Sequence, residues 1–422
     1  MFFIAIMDKQ KLRQVIIDHQ ELFKNTDELI DRNINIDYFM KGTEIVVISG
    51  IRRCGKSSLL KLIAKRISGT TFYLNFDDVR LTDFTTENFQ DAQNIAHELS
   101  GTTTMTYFLD EIQNVHYWER WVNTLYELKN KTFITGSNAG LLSSEIATHL
   151  TGRNKVLNLN PFSFKEYLTI KNTLPPTIMT TTEQNTMYKH FTHYLEMGGF
   201  PLIIKNDDKE LSKQYFEDII EKDIIARYTV RQSKELKDVI LYLISNVGKR
   251  YSYVTLKEIT GIKSLSTIKK YIDYYKNTFL LYTIQRFDYS LTKQKISSSK
   301  PYAGDTIFLT TISFEFTDNT GRKLENAVYL HLRRTGKEIY YYQEKKECDF
   351  IVKEGRMITQ AIQVCANISD PTTRKREIEG LTSAMTEYNL REGCIITMET
   401  EETINIGEKI IRVIPAWKWM LE

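Results

Sequence analysis

A chain of 422 residues, 42% hydrophobic and 26% charged, is long enough for two or three domains with real cores, and wholesale disorder is excluded. Its 56 basic and 53 acidic residues nearly cancel, so net charge neither demands nor excludes a nucleic-acid partner. The four cysteines, Cys54, Cys348, Cys365 and Cys394, form no metal-ligand pair such as C-x-x-C, and a reducing cytoplasm is the expected setting.

The apolar start Met1-Phe2-Phe3-Ile4-Ala5-Ile6-Met7 is cut short by Asp8 and Lys9 and has neither a basic segment before it nor a small-residue cleavage site after it. No stretch approaches the length needed to span a bilayer, so no membrane partner is expected. Residues 1–40 read as a polar helical lead-in, with Leu12, Val15, Ile16, Leu29 and Ile30 at helical spacing. From 41 to 170 short strands alternate with helices. The strands are Ile45–Ile48, Thr71–Phe76, Thr106–Leu109, Thr132–Thr135 and Lys155–Leu159, which predicts an α/β core with a parallel five-stranded sheet.

Between the first strand and the helix that begins at Leu59 lies Gly50-Ile51-Arg52-Arg53-Cys54-Gly55-Lys56-Ser57, followed by Ser58. Strand, glycine-bounded loop, helix is the setting in which a phosphate-binding loop works. The glycines let backbone amides turn inward, and the helix offers its positive end. Gly50, Ile51, Arg52, Arg53, Cys54, Gly55, Lys56, Ser57 and Ser58 are therefore the expected ATP-binding residues. Lys56 would reach the β- and γ-phosphates, and Ser57 would ligate Mg²⁺. The third strand delivers Asp110-Glu111: Asp110 would hold the metal's hydration shell, and Glu111 would orient and deprotonate the attacking water. The fourth ends in Gly136-Ser137-Asn138, where Ser137 or Asn138 would contact the γ-phosphate or that water, or simply complete a turn. Arg153, in Thr151-Gly152-Arg153, is a candidate finger acting in trans, or a surface ion-pair residue.

Residues 171–232 read as a helical linker or lid broken by Gly198-Gly199-Phe200-Pro201. Over 233–305 an amphipathic helix is followed by a short helix capped at Thr255, a turn at Gly261, a helix starting at Ser264 or Ser266, and two strands flanking a basic, serine-rich loop 293–300. That is the order of a winged helix. Lys263, Lys269, Lys270 and Lys276 on the recognition helix, with Lys293, Lys295 and Lys300 in the loop, would neutralise phosphates on either side of a groove. Double-stranded DNA is thus one expected partner and a docked protein the other. Residues 306–422 form a third module, opened by a helix near 321–335 and continued by strands.

The segments GIRRCGKSSL, YFLDEIQ, FITGSNAGLLS, LTGR, NPFSFKEYL and GGFP occur in the order that resembles bacterial and archaeal AAA-type ATPases (AAA domain family 14) carrying a C-terminal domain of unknown function, the 4143 family. The resemblance runs from the phosphate loop to about residue 370. It implies a glutamate-dependent ATPase core, a winged helix and a restriction-nuclease-like α/β module, and it leaves self-assembly open. It also implies nuclease positions, which here read Glu325, Asp349 and Gln363-Val364-Cys365. Cysteine cannot replace the ammonium of the usual Glu-x-Lys, so the terminal module reads as a degenerate nuclease fold. PFSFKEYL and GGFP suggest packing.

Overall fold

The computed structural model describes residues 7–25, 29–137, 150, 152–313 and 319–422. The start at residues 1–6, Asn138 with the remainder of its motif, and Thr151 lie outside the described residues. The chain divides into two compact units, Met1–Asn160 and Pro161–Glu422.

In the first unit β1 (Ile45–Ser49), β2 (Thr71–Asn75), β3 (Thr106–Asp110), β4 (Thr132–Gly136) and β5 (Asn154–Asn158) form one sheet in the order β2-β3-β4-β1-β5. Every pairing is parallel. The central strand β1 is buried along its whole length, as its unbroken apolar run requires of a strand covered on both faces. Four helices matter to the site: α1 (Lys9–Lys24), α2 (Lys56–Arg66), α3 (Asn88–Ser100) and α4 (Trp118–Glu127).

The lead-in is not separate from this core. Asp8 caps α1 by accepting from the Gln10 amide, and Leu12, Val15 and Ile16 are buried with Phe72, Leu74, Ile95 and Trp121. β2 is an edge strand whose outer peptide groups need partners. Gln20 of α1 supplies both: its amide donates to the Tyr73 carbonyl at 2.7 Å and accepts from the Tyr73 N–H at 3.2 Å.

The second unit opens with α5 (Phe164–Ile170) and α6 (Thr181–Met197), each started by a capping box, Ser163 with Glu166 and Thr180 with Glu183. Gly198 and Gly199 then explain the two motifs without an assigned role. Gly198 has φ +68°, and a Cβ there would stand 1.7 Å from Asp305 Oδ1. A Cβ on Gly199 would stand 2.4 Å from the Phe162 carbonyl oxygen, and the Phe162 N–H donates to the Gly199 carbonyl at 2.6 Å. GGFP and the start of PFSFKEYL are therefore two halves of one backbone contact.

Next come α7 (Ser233–Ser245), α8 (Tyr253–Thr260) and α9 (Leu265–Asn277), then the antiparallel pair β6 (Leu281–Gln285) and β7 (Ser299–Ala303). Ser252, not Thr255, caps α8: its side chain accepts from the Thr255 N–H at 3.0 Å. Ser264 precedes α9. The segment read as a loop over 293–300 is a short helix, Leu291–Ile296, followed by β7. α10 (Thr320–Arg334) leads into a mixed six-stranded sheet made of β8 (Glu338–Gln343), β9 (Glu347–Glu354), β10 (Met357–Val364), β11 (Glu392–Thr397), β12 (Glu402–Ile406) and β13 (Lys409–Pro415). Its order is β12-β13-β11-β10-β9-β8; β10 with β11 and β11 with β13 are parallel, and the other pairs are antiparallel. α11 (Pro371–Glu387) covers one face, burying Leu381, Ala384 and Met385 against Ile351 and Ile395.

Candidate active site

In a parallel sheet all strands end at one edge, and the loops there form a single site. β1 ends in the glycine loop, β3 in Asp110-Glu111 and β4 in Gly136-Ser137. Within the loop Gly55 has φ +100° and Arg53 φ +70°, so the chain reverses tightly before α2 begins at Lys56. A Cβ on Gly50 would stand 2.1 Å from the Leu159 carbonyl oxygen, so no larger residue fits. Ile51 and Cys54 are buried, whereas Arg53, Ser57 and Ser58 are exposed. The Cys54 thiol donates to the Leu159 carbonyl at 3.4 Å, and burial raises its pKa, so it acts as a packing group under the loop. Arg32, outside any motif, donates to the Cys54 carbonyl at 3.2 Å and to the Asn160 carbonyl at 2.7 Å, tying the loop from below.

Lys56 is buried; its ammonium lies 3.2 Å from the Gly50 carbonyl and 3.6 Å from Glu111 Oε1. Gln113 donates to the other Glu111 oxygen at 2.6 Å. Glu111 itself has φ +52°, a left-handed backbone that a residue with a Cβ adopts at a cost, and its N–H is held by Thr135 Oγ1 at 3.0 Å.

Asp110 is 1% exposed and is surrounded by hydroxyls. Tyr73 donates to Oδ2 at 2.9 Å, Thr135 donates to Oδ1, and Ser57 is a third hydrogen-bond partner. Burial and then the Glu111 charge push the Asp110 carboxyl above its usual range, while the three hydroxyls oppose that shift. Burial and the Asp110 charge in turn raise the Tyr73 phenol, which keeps it a donor.

The structure therefore gathers Lys56, Ser57, Asp110 and Glu111, and adds Tyr73, Thr135 and Arg32, which sequence reasoning missed. Thr135 was visible only as the last residue of a strand. Ser137 is buried at the end of β4, beside β1. Asn138 lies outside the described residues. Arg153 sits at the other edge of the sheet, where its carbonyl accepts from the Ile45 N–H at the start of β1. Its guanidinium bonds Asn123, lies 3.4 Å from Glu127 and covers the Tyr126 ring at 5.5 Å.

A glycine loop between strand and helix, presenting a lysine and a serine beside a strand-end Asp-Glu pair, defines a P-loop nucleoside triphosphatase. The profile of the AAA domain matches residues 42–168, and that of a domain of unknown function, DUF8612, matches 188–318. The latter corrects the expectation of the 4143 family: the quoted motifs all end by Pro201 and so reach only the beginning of the segment that DUF8612 matches. An uncharacterized protein of Methanocaldococcus jannaschii is 34% identical, aligned over 99% of this chain and 97% of its own. An uncharacterized protein of Haemophilus influenzae is 31% identical over 90% of this chain and 96% of its own. Among solved structures, the Walker-type ATPase of Pyrococcus abyssi aligns at 14% identity over 73% of this chain and 96% of its own, with a TM-score of 0.40. The chain belongs to the AAA-type P-loop ATPases.

Proposed function

We propose that this ATPase works in the cytoplasm with Mg²⁺ and couples turnover to engagement of DNA or a protein through its second unit. The observation that carries the reading is the meeting of Lys56, Ser57, Asp110 and Glu111 at one sheet edge. The site suits a metal-bound triphosphate: loop and helix start supply donors, and the buried Asp110 carboxylate already accepts from hydroxyls as it would from coordinated water. Ser57 and Asp110 would hold Mg²⁺, which when bound neutralises phosphate charge. Gly50 through Ser58 would cradle the phosphates. Lys56 would pair with the terminal phosphates, releasing Glu111 to take a proton from the attacking water. Ser137 or Asn138 would contact the γ-phosphate or that water.

The helices α7, α8 and α9 followed by the β6–β7 hairpin support a winged-helix reading of the DNA-facing part. Lys263, Lys269, Lys270 and Lys276 are exposed, as are Lys293 and Lys295. Lys300 is withdrawn from that surface, being 1% exposed, so it is not a wing contact. A second reading, a slow nucleotide switch, is favoured by the Lys56–Glu111 pair at 3.6 Å, which occupies both groups before substrate arrives.

Steady-state ATPase activity of wild type and Glu111→Gln, with and without double-stranded DNA, separates these readings. The expectation is a fall of about 10²–10⁴-fold in the variant, the usual worth of a general base, with ATP still bound. Stimulation of wild type by DNA selects DNA as partner, and indifference directs the search to proteins. Tight binding without turnover in wild type would leave only the switch. Arg153 would act in a neighbouring subunit, which predicts a specific activity that rises with protein concentration; a constant value over a wide range rejects that role.

A further inference from the structure

Lys300, on β7 of the second unit, meets three carboxylates carried by two other elements. Its ammonium lies 2.7 Å from Glu347 Oε1 and 3.0 Å from Asp349 Oδ1, both on β9, and 3.7 Å from Glu325 Oε1 on α10. Burial opposes a charge on this lysine, yet Asp349, Glu325 and Glu347 outweigh it and hold the ammonium well above its usual range. The carboxylates are fixed from outside. Tyr302 donates to Glu325 Oε1 at 2.8 Å, the Val364 N–H donates to Asp349 Oδ2 at 3.0 Å, and Arg250 lies 3.4 Å from Glu347 Oε2. Gln363, at one of the implied nuclease positions, is already engaged: its oxygen accepts from the Asp349 N–H at 3.2 Å and its amide donates to Glu377 at 2.6 Å.

Oxygens of three carboxylates, the ligand type a hard cation takes, converge on this one buried ammonium, and with it in place no group of three or more acidic, His or Cys side chains among the described residues is arranged to hold a metal ion. We infer that the chain's own ammonium is the resident cation of this cluster, so that Lys300 takes the place a divalent metal would need and metal-dependent phosphodiester hydrolysis there is closed off. The lysine missing from the Gln363-Val364-Cys365 strand is thus supplied from the β6–β7 hairpin, but where the metal would sit rather than beside it. The same contact ties the hairpin to α10 and β9, and truncating the lysine would remove the ion pairs of Glu325 and Asp349 and leave Glu347 to Arg250. The inference does not depend on the ATPase reading, because the phosphate loop plays no part in it.

The test is Mn²⁺ titration of the full chain without nucleotide, followed by electron paramagnetic resonance of free Mn²⁺. Wild type is expected to bind no ion at this cluster. Lys300→Ala is expected to gain one ion with a dissociation constant below about 1 mM, the weak end of oxygen-ligated sites. That ion should disappear in Lys300→Ala/Asp349→Asn, and Mn²⁺ should raise the melting temperature of Lys300→Ala but not of wild type. A folded Lys300→Ala that gains no ion overturns the inference. Should that variant not fold, wild type and Glu347→Gln decide: equal Mn²⁺ binding and no Mn²⁺-dependent DNA cleavage in either supports it. Binding or cleavage by wild type that Glu347→Gln abolishes overturns it.

Discussion

Thr135 is the side chain on which the geometry of the acidic pair depends, and Thr135→Val isolates its hydroxyl while keeping its shape. The residue is fully buried on β4, donates to Asp110 Oδ1 and accepts from the Glu111 N–H at 3.0 Å. Losing a hydrogen bond to a charged acceptor costs about 1.5–3 kcal/mol, and orphaning a buried N–H costs about 1–3 kcal/mol. Together these set a loss of about 3–5 kcal/mol, or roughly a 10 °C fall in melting temperature for a unit of this size. Thr135→Ser keeps both hydrogen bonds and loses only a methyl group, worth about 1 kcal/mol. Apolar burial alone would rank valine above serine, whereas the hydrogen bonds rank serine above valine. Urea unfolding of the nucleotide-free protein reads the order directly. A valine variant as stable as the serine variant, or more so, would refute the reasoning. Turnover should follow the same order, because the hydroxyl also helps keep Asp110 ionised against burial and steadies Glu111 at φ +52°.

Two further consequences concern the second unit. Gly198→Ala would force a Cβ to within 1.7 Å of Asp305 Oδ1, a carboxylate fixed by the N–H groups of Gly199 at 2.9 Å and Ile307 at 3.0 Å, at a backbone φ of +68°. A loss of about 3 kcal/mol or more is expected in thermal unfolding, and a wild-type melting temperature would contradict it. His331 is pushed down to about 4 by burial and the Arg334 charge, with its ring 4.6 Å from that of Trp419. The unfolded chain takes up this proton near pH 6.5 and the folded chain only near 4, so stability is complete above about 6.5 and declines as pH falls through that window. The decline attributable to this residue is at most about 3 kcal/mol. His331→Phe retains an aromatic ring against Trp419 and should flatten the slope between pH 6.5 and 4; an unchanged slope shows that other groups set it.

Elements whose causes are local were legible in the residues alone. The run Ile45–Ile48, the two glycines before Lys56 and the Asp-Glu pair after Leu109 place strand, loop, helix and carboxylates within a few residues of one another. All five predicted strands of the first unit stand within a residue of their expected limits, and β1, β3 and β4, buried almost throughout, write themselves as short apolar runs. Tertiary structure decided what spans the chain. Arg32 reaches Cys54 from 22 residues away, Thr135 reaches Asp110 from 25 and Tyr73 from 37, and no spacing announces such partners. Lys300 shows the difference most plainly. In a basic, serine-rich stretch it reads as a solvated wing residue, and only β7 turning its side chain toward Glu325, Glu347 and Asp349 makes it the buried counter-charge of an acidic cluster. A lysine's charge is written in the sequence, but the groups it compensates are chosen by the packing of a helix and a strand 25 to 49 residues further along the chain.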